Sequence, residues 1–548
     1  MAVHDRAGQH ATQHDLVNIP QLMSHYYRLI PNIQNQAQAV SFGTSGHRGS
    51  ALASSFNQHH IWAITQAVVD YRQQANITGP MIVGFDTHAL SYAAYLSVVE
   101  VLTANQVKVI VQKDEGFTPT PVVSQAIVVA NKGKVDNLTD GLIITPSHNP
   151  PQDGGIKYNP PHGGPADTDI TNQIQATANQ YLAEQLSGIK KVNYDVVKQT
   201  KWLDEQNLIQ PYVDALANVI DFEAIAKAGI KIGVDPLGGS GIHYWDVIRN
   251  TYNIDISLVN NNVDPTFGFM TLDKDGKIRM DCSSPYAMAG LLAHCQDYDL
   301  CLGNDPDYDR HGIVCPESGL MNPNHFLAVA IEYLCEHRPQ WSKDLAIGKT
   351  LVSSAMIDKV CHRLGRQCIE VPVGFKWFVE GLANSEIAFG GEESAGACFL
   401  QKDGSTWCTD KDGFILALLA AEILAVTGKT PAQHYQRLTQ EFGESFYTRI
   451  DSPISMNKKQ KFAKLTEASF TQSTLAGDGI KSIMSTAPGN NAAIGGIKVT
   501  TENGWFAARP SGTEALFKLY AESFVSQAHL DLMIQDAKAM IDAALKSN

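Results

Sequence analysis

From Met81 onward the chain switches repeatedly between two hydrophobic periods, and this rhythm limits the folds open to it. "MIVGFDT", "VKVIVQ" and "GLIIT" are short apolar runs of strand length. Between them, "SYAAYLSVVEVLTANQ" and "PVVSQAIVVA" space their apolar residues at helical intervals. Strands alternating with helices in this way build a mostly parallel sheet covered by helices. The rhythm returns at residue 230 with "IKIGVDPL", "IHYWDVIRNTYN", "IDISLVN", "PYAMAGLLAHC" and "DLCLGND". It starts a third time at residue 326, with "FLAVAIEYLCEH" and ending at "EIAFGGEE". The last stretch breaks it: "AAIGGIKVTTENGWFAARPSGTEALFKLYAESF" reads as consecutive strands, and "LDLMIQDAKAMIDAAL" as an amphipathic closing helix. The fold class expected is α/β, with three similar mixed α/β domains and a C-terminal α+β domain. Domains are expected at residues 1–200, 201–304, 305–425 and 426–548, with polar helical connectors near 196–225 and 428–465.

A chain of 548 residues is too long for one core, which fits this division. The net charge of −14 argues against a nucleic-acid binder. It leaves an anionic substrate open, because local Arg and Lys can focus a positive field in a cleft. The nine cysteines all lie between Cys282 and Cys408, are odd in number and form no CxxC pair. That speaks against a disulfide framework and a cysteine zinc site, and suits a reducing compartment. "MAVHDRAGQHATQHDLVN" carries no apolar signal region, and no apolar run is long enough to span a bilayer. A soluble, cytoplasmic protein is expected.

Ligands of open α/β sheets bind beyond the carboxyl ends of the strands. Several motifs sit at such ends. In "DGLIITPSHNPPQDGGIKYN", residues 140–159, Pro146, Pro150 and Pro151 stop the strand and stiffen a loop that carries Ser147 and His148. On local grounds Ser147 is a turn serine, or a serine that is itself phosphorylated with Lys157 close by. His148 is poorly placed as a hydrolase-type base, since neighbours in extended chain point to opposite sides. In "CLGNDPDYDRHG", 301–312, Asp305, Asp307 and Asp309 alternate at the end of an apolar strand. Three carboxylates so close call for a hard cation such as Mg²⁺. In straight chain the outer two would sit about 13 Å apart, so the chain must curl round the ion. "RPSGTE", 509–514, can offer backbone N–H donors beside Arg509, or be a plain turn. "FGTSGHRG", 42–49, is a glycine-rich loop carrying Arg48. "FGGEESAGA", 389–397, offers Glu392 and Ser394 either to sugar hydroxyls or as a helix cap. "GVDPLGGSG", 233–241, lacks a complete dinucleotide fingerprint. "DKDGK", 273–277, reads as a hairpin turn, because the twelfth position of a calcium loop there would be Ser284.

Taken together, "GTSGHRG", "TPSHNP", "DPDYDRHG", "GEESAG" and "RPSGTE", in that order across residues 42 to 514, resemble the α-D-phosphohexomutase family. The resemblance implies four domains around a deep central cleft. "GEESAG" looks like the glucose-phosphate branch, where mannose-type members carry "GEMSGH" and glucosamine-type members "GEQSGH". It implies interconversion of α-D-glucose 1-phosphate and glucose 6-phosphate through glucose 1,6-bisphosphate, with a dual glucose/mannose specificity as the alternative. By the same resemblance Ser147 is the phosphoserine, and Asp305, Asp307 and Asp309 bind one Mg²⁺ together with its phosphate. Arg48, His148, Lys157 and Arg310 surround the reacting phosphoryl group. Glu392 and Ser394 hold sugar hydroxyls, and Lys376 of "VGFKWF" contacts phosphate or sugar. Arg509, Ser511, Gly512 and Thr513 hold the distal phosphate. The histidine of "GEMSGH" is replaced by Gly396, so Lys157, Lys376 and His148 stand as candidates for the base. The expected partners are small hexose phosphates, without nucleic acid or membrane, for a monomer or homodimer.

Overall fold

Four sheets of four or more strands follow one another along the chain. The computed structural model describes residues 3–43, 46–462, 465–510 and 516–547. The first sheet has seven strands in the order Phe42–Gly43, Gly46–Ser50, Asp153–Asn159, Asp140–Ile144, Met81–Phe85, Val109–Gln112, Leu203–Gln206. Its last four strands run parallel, joined by the helices Ala89–Ala104 and Thr120–Asn131. Asp153–Asn159 turns back antiparallel, pairing Leu142 with Tyr158 and Ile143 with Lys157. The loop 145–152 is too short for a helical crossover, and an antiparallel return is what so short a connection allows.

The second sheet has the order Gly319–Leu320, His311–Cys315, Leu300–Asn304, Ile232–Asp235, Ile256–Leu258. Leu300–Asn304 and His311–Cys315 form a hairpin, with Asn304 opposite His311. The sheet therefore runs on to Leu320, past the division expected at 304/305. The strand Leu203–Gln206 likewise carries the first sheet past residue 200. The third sheet is Cys368–Val371, Ala346–Thr350, Ile387–Glu392, Gly396–Phe399. The fourth is wholly antiparallel: Phe446–Pro453, Leu516–Ser523, Gly504–Pro510, Ala493–Thr500, Ser482–Thr486. The helix Gln527–Ser547 covers one of its faces through Leu530, Met533, Ala537 and Ile541.

Helix Gly413–Thr427 is apolar but for Glu422, which pairs with Arg338, and is buried without interruption from Gly413 to Ile423. It belongs to a core that also takes in Leu300, Leu302 and Ile313 of the second sheet and Ile347, Phe389 and Phe399 of the third. One helix thus fixes the ends of both sheets against each other. "DKDGK" is a hairpin turn, closed by Asp273 N donating to Lys277 O at 2.8 Å. Among the described residues, no single helix is long and apolar enough to cross a membrane.

Candidate active site

The strand Asp140–Ile144 is buried along its whole length and ends two residues before Pro146. Ser147 follows in the left-handed region, at φ 59°, and its backbone N donates to Thr145 Oγ1 at 2.8 Å. Two other loops of the site turn through a non-glycine residue in the same region: Tyr308 at 61° and Ala395 at 70°. Such backbone costs about 1–3 kcal/mol per residue and gathers at functional sites.

The metal loop curls as required. Tyr308 N donates to Asp305 O at 2.9 Å, and Arg310 N to Asp305 Oδ1 at 3.1 Å. The Tyr308 ring anchors the turn in the core, 4.4 Å from Phe414, with Trp245 Nε1 donating to its hydroxyl at 3.0 Å. Gly413 makes room for the loop: a Cβ there would lie 2.2 Å from Arg310 O. From behind, Ser240 of the "DPLGGSG" turn holds Pro306 O with both its N (2.8 Å) and its Oγ (2.7 Å). That turn supports the loop that carries the aspartates. As a result, ligand oxygens of Asp305, Asp307 and Asp309 lie within 4.8 Å of one another, all buried.

The first sheet delivers its groups to this loop. Ser147 Oγ donates to Asp305 Oδ2 at 2.8 Å and lies 3.3 Å from His148 Nδ1. Lys157 Nζ donates to Asp307 Oδ2 at 2.6 Å and Asp309 Oδ2 at 3.3 Å. Thr120 Oγ1 donates to Asp307 Oδ2 at 2.7 Å. Arg48 Nη1 reaches Asn149 Oδ1 at 3.2 Å, and His88 Nε2 lies 3.0 Å from Asn149 O, so both steady the serine loop. The third sheet adds Glu392, whose Oε1 accepts from Gly374 N at 3.0 Å. Lys411 Nζ sits 2.8 Å from Asp309 Oδ2. The stem of Lys411 fills the place where a side chain at position 396 would start, 2.3 Å from an ideal Cβ on Gly396.

The charges are strongly coupled. Burial and the neighbouring Asp307 and Asp309 push the Asp305 carboxyl well above its usual range. Burial acts the same way on Asp309, but Lys411, Lys157 and Arg310 overcome it and hold that carboxyl well below. Burial works against the charged form of Lys157, yet Asp307 and Asp309 raise it above an ordinary lysine, and Asp309 and Glu392 do so for Lys411. Burial, with Arg310 and Arg48, lowers His148, so its imidazole is neutral near pH 7. Burial pushes Glu392 up to about 7, with Lys411 opposing.

Asp307 Oδ1 and Asp309 Oδ1 are buried without a hydrogen-bond partner among the described residues. Oxygen-only donors, two of them orphaned, fit a hard divalent cation. A pocket beside them is lined by Lys157, Asp309, Phe375, Glu392, Asp410 and Lys411. Sequence reasoning missed Lys411, Thr120 and Ser240. "TDKDGF" reads locally as an ordinary helix start, since Asp412 caps the helix through Phe414 N and Ile415 N. Of the expected residues, Ser147, His148, Lys157, Arg48, Arg310, the three aspartates and Glu392 come together. Ser394 is half-buried, two positions beyond Glu392. Lys376 bonds to Thr168 Oγ1 and lies over Trp377, so it reaches this cluster by no direct bond. Arg509 sits at the end of Gly504–Pro510, with Nε buried and unpartnered among the described residues. Ser511, Gly512 and Thr513 lie outside the described residues.

Four domain profiles described as phosphoglucomutase/phosphomannomutase match the chain in order. They are α/β/α domain I over residues 39–185, domain II over 210–319, domain III over 322–442 and the C-terminal domain over 458–539. The chain belongs to the phosphoglucomutase/phosphomannomutase family. A phosphoglucomutase of Komagataeibacter xylinus is 52% identical over 537 residues, covering 98% of this chain and 97% of that relative. Phosphoglucomutase 1 of Drosophila melanogaster is 25% identical over 433 residues, 75% of this chain and 73% of that relative. Among solved structures, the exocytosis-sensitive phosphoprotein pp63/parafusin (phosphoglucomutase) of Paramecium, in open form, superposes with a TM-score of 0.72 at 21% identity. It covers 94% of this chain and 95% of that one. A phosphoglucomutase/phosphomannomutase family protein of Burkholderia thailandensis gives 0.72 at 18%, covering 92% and 98%. These two likenesses show that the fold is shared over more than nine-tenths of the chain.

Proposed function

We propose that this chain is a phosphoglucomutase, an isomerase that interconverts α-D-glucose 1-phosphate and glucose 6-phosphate through a phosphoserine at Ser147. The observation that carries the reading is the cross-domain cluster in which Ser147 Oγ meets Asp305 inside a ring of Lys157, Lys411, Arg48 and Arg310. Phosphoryl transfer needs alignment and charge neutralisation more than covalent help, and this cluster supplies both. In the forward step the P–O bond to Ser147 Oγ breaks and a P–O bond to the free sugar hydroxyl forms, giving glucose 1,6-bisphosphate. The hydroxyl proton leaves to a base in the cleft; His148, neutral near pH 7, is nearest the serine, while Lys157 and Lys411 stay charged beside the aspartates. The bisphosphate turns end for end and returns its other phosphoryl group to Ser147. Asp305, Asp307, Asp309 and an oxygen on Ser147 would hold Mg²⁺, which when bound offsets charge on the transferring oxygens. Glu392 and Ser394 take sugar hydroxyls, and Arg509 with Ser511, Gly512 and Thr513 takes the distal phosphate. Lys376 serves as an outer contact. Its nine cysteines are all free, which suits the cytoplasm, where it acts as a monomer or homodimer on small hexose phosphates.

Intact mass before and after glucose 1,6-bisphosphate tests the reading. A gain of one phosphoryl group on the Ser147 peptide is expected. Turnover of mannose 1-phosphate at least as fast as glucose 1-phosphate would favour dual specificity. Release of inorganic phosphate outrunning isomerisation would favour a phosphatase.

A further inference from the structure

A short turn of the third domain, residues 350–355, "TLVSSA", carries much of the contact with the C-terminal domain. Glu522, fully buried in the C-terminal sheet, accepts from Ser354 Oγ and, at 2.7 Å, from Ala355 N. Its own domain adds Trp505 Nε1 at 2.8 Å and Ser445 Oγ at 2.5 Å. Lys498 Nζ donates to Leu351 O and to Glu370 Oε2, both at 2.7 Å. Tyr447 OH donates to Val352 O at 3.0 Å. Leu351 and Val352 pack against Ala487, Ile494, Trp505, Ala507 and Tyr520.

The first residue of the turn bonds the sugar loop. Thr350 is fully buried, and its Oγ1 donates to Glu393 Oε2 at 3.0 Å and lies 2.9 Å from Ser353 Oγ. Glu393 stands between Glu392 and Ser394, the two expected sugar contacts. Its charge also acts across the seam on Tyr447, Arg449 and Tyr520. Strand register sets those three on one face of the C-terminal sheet, Arg449 opposite Tyr520 and Tyr447 opposite Glu522. The turn is therefore held by the C-terminal domain at residues 351–355 and tied to the sugar loop at Thr350.

We propose that Thr350 is a positioning residue: its bond to Glu393 ties the sugar loop to the turn on which the C-terminal domain seats. Seating of that domain then sets where Glu392 and Ser394 stand. A loosely seated domain leaves the sugar loop misplaced and the phosphoserine open to water. The inference rests on the mutase reading above.

Thr350→Val removes the donor at nearly constant volume, and Thr350→Ser keeps it. KM and kcat for glucose 1-phosphate, Ser147 phosphorylation by glucose 1,6-bisphosphate, and inorganic phosphate released per isomerisation are measured on each full-length protein. Thr350→Val is expected to raise KM on the order of fivefold, the effect of one lost hydrogen bond. It is also expected to raise the phosphate leak, while Thr350→Ser behaves as wild type. Should Thr350→Val not fold, Glu522→Gln loosens the seat from the other side and is expected to raise KM and leak together. Folded variants with wild-type KM and leak overturn the proposal, as does Thr350→Ser as impaired as Thr350→Val. A wild type that takes no phosphoryl group overturns the mutase reading and this one with it. A phosphorylated wild type with unmoved variants overturns this one alone.

Discussion

Ser147 Oγ and Asp305 Oδ2 lie 2.8 Å apart, although 158 positions separate them in the chain. Each stands where a buried strand of its own sheet has just ended, Asp140–Ile144 for the serine and Leu300–Asn304 for the aspartate. The contact exists because two carboxyl ends face one cleft. Ser147→Ala leaves both strands and their cores intact. It is expected to lower mutase turnover by roughly 10⁴-fold or more, as loss of a nucleophile does. Unfolding free energy should stay within about 1–2 kcal/mol of wild type, the scale of one hydrogen bond to a carboxyl. Steady-state rates, intact mass and denaturant unfolding check this. An active variant would remove the serine from the mechanism.

The three aspartates predict a metal-linked stability. Their oxygens converge within 4.8 Å, and Asp307 Oδ1 and Asp309 Oδ1 have no hydrogen-bond partner among the described residues. A cation that binds only the folded chain stabilises it by about 2.7 kcal/mol at a hundred times its Kd. Calorimetry after chelator treatment should show the transition of the second domain rising as Mg²⁺ is added back. Asp307→Asn should blunt that rise, because one ligand has lost its charge. An identical rise in the variant would place the cation elsewhere.

The strand rhythm carried most of the architecture, because parallel strands buried on both faces announce themselves as unbroken apolar runs. That Ser147 and the aspartates stand at strand ends could be read because each motif is contiguous and follows such a run, although locally Ser147 reads equally well as a turn serine. Lys411 could not. It precedes Asp412, which caps a helix, and nothing nearby in sequence tells that its ammonium reaches Asp309 from the third domain. The antiparallel return at Asp153–Asn159 was equally silent, since strand direction depends on a loop of prolines and turns rather than on periodicity. The division expected at 304/305 fell inside the hairpin from Leu300 to Cys315, because a metal loop at a strand end looks the same as a domain edge.

Glu392 predicts a pH signature. Its carboxyl ordinarily titrates near 4.5, and burial raises it to about 7. Between those values the folded chain keeps a proton that the unfolded chain has lost. The contribution of this group to stability is therefore highest below pH 4.5, falls as pH rises and is lost above about 7. The span is worth about 3 kcal/mol. Glu392→Gln cannot ionise, so its unfolding free energy should gain on wild type as pH rises through the window. Urea unfolding at several pH values in the chelated protein reads the difference. Parallel profiles for the two proteins would mean that the carboxyl titrates normally.

Gly396 and Lys411 compete for one space. A Cβ on Gly396 would fall 2.3 Å from Lys411 Cδ, so the lysine stem must give way in Gly396→Ala. The stem is flexible, and the stability cost should stay near 1 kcal/mol, at the low end for overpacking. The ammonium is held 2.8 Å from Asp309 Oδ2, beside Glu392, and displacing it by even 1 Å moves a charge away from the transferring group. Misplacement on that scale costs around 10²-fold in rate. Gly396→Ala is thus expected to lose far more kcat than stability, and Lys411→Ala to lose at least as much. The double variant, which has room for the methyl group, should be no less stable than Lys411→Ala alone, and just as inactive. If Gly396→Ala kept full kcat, the position of the Lys411 charge would not matter to the transfer and Lys411 would be a structural cation.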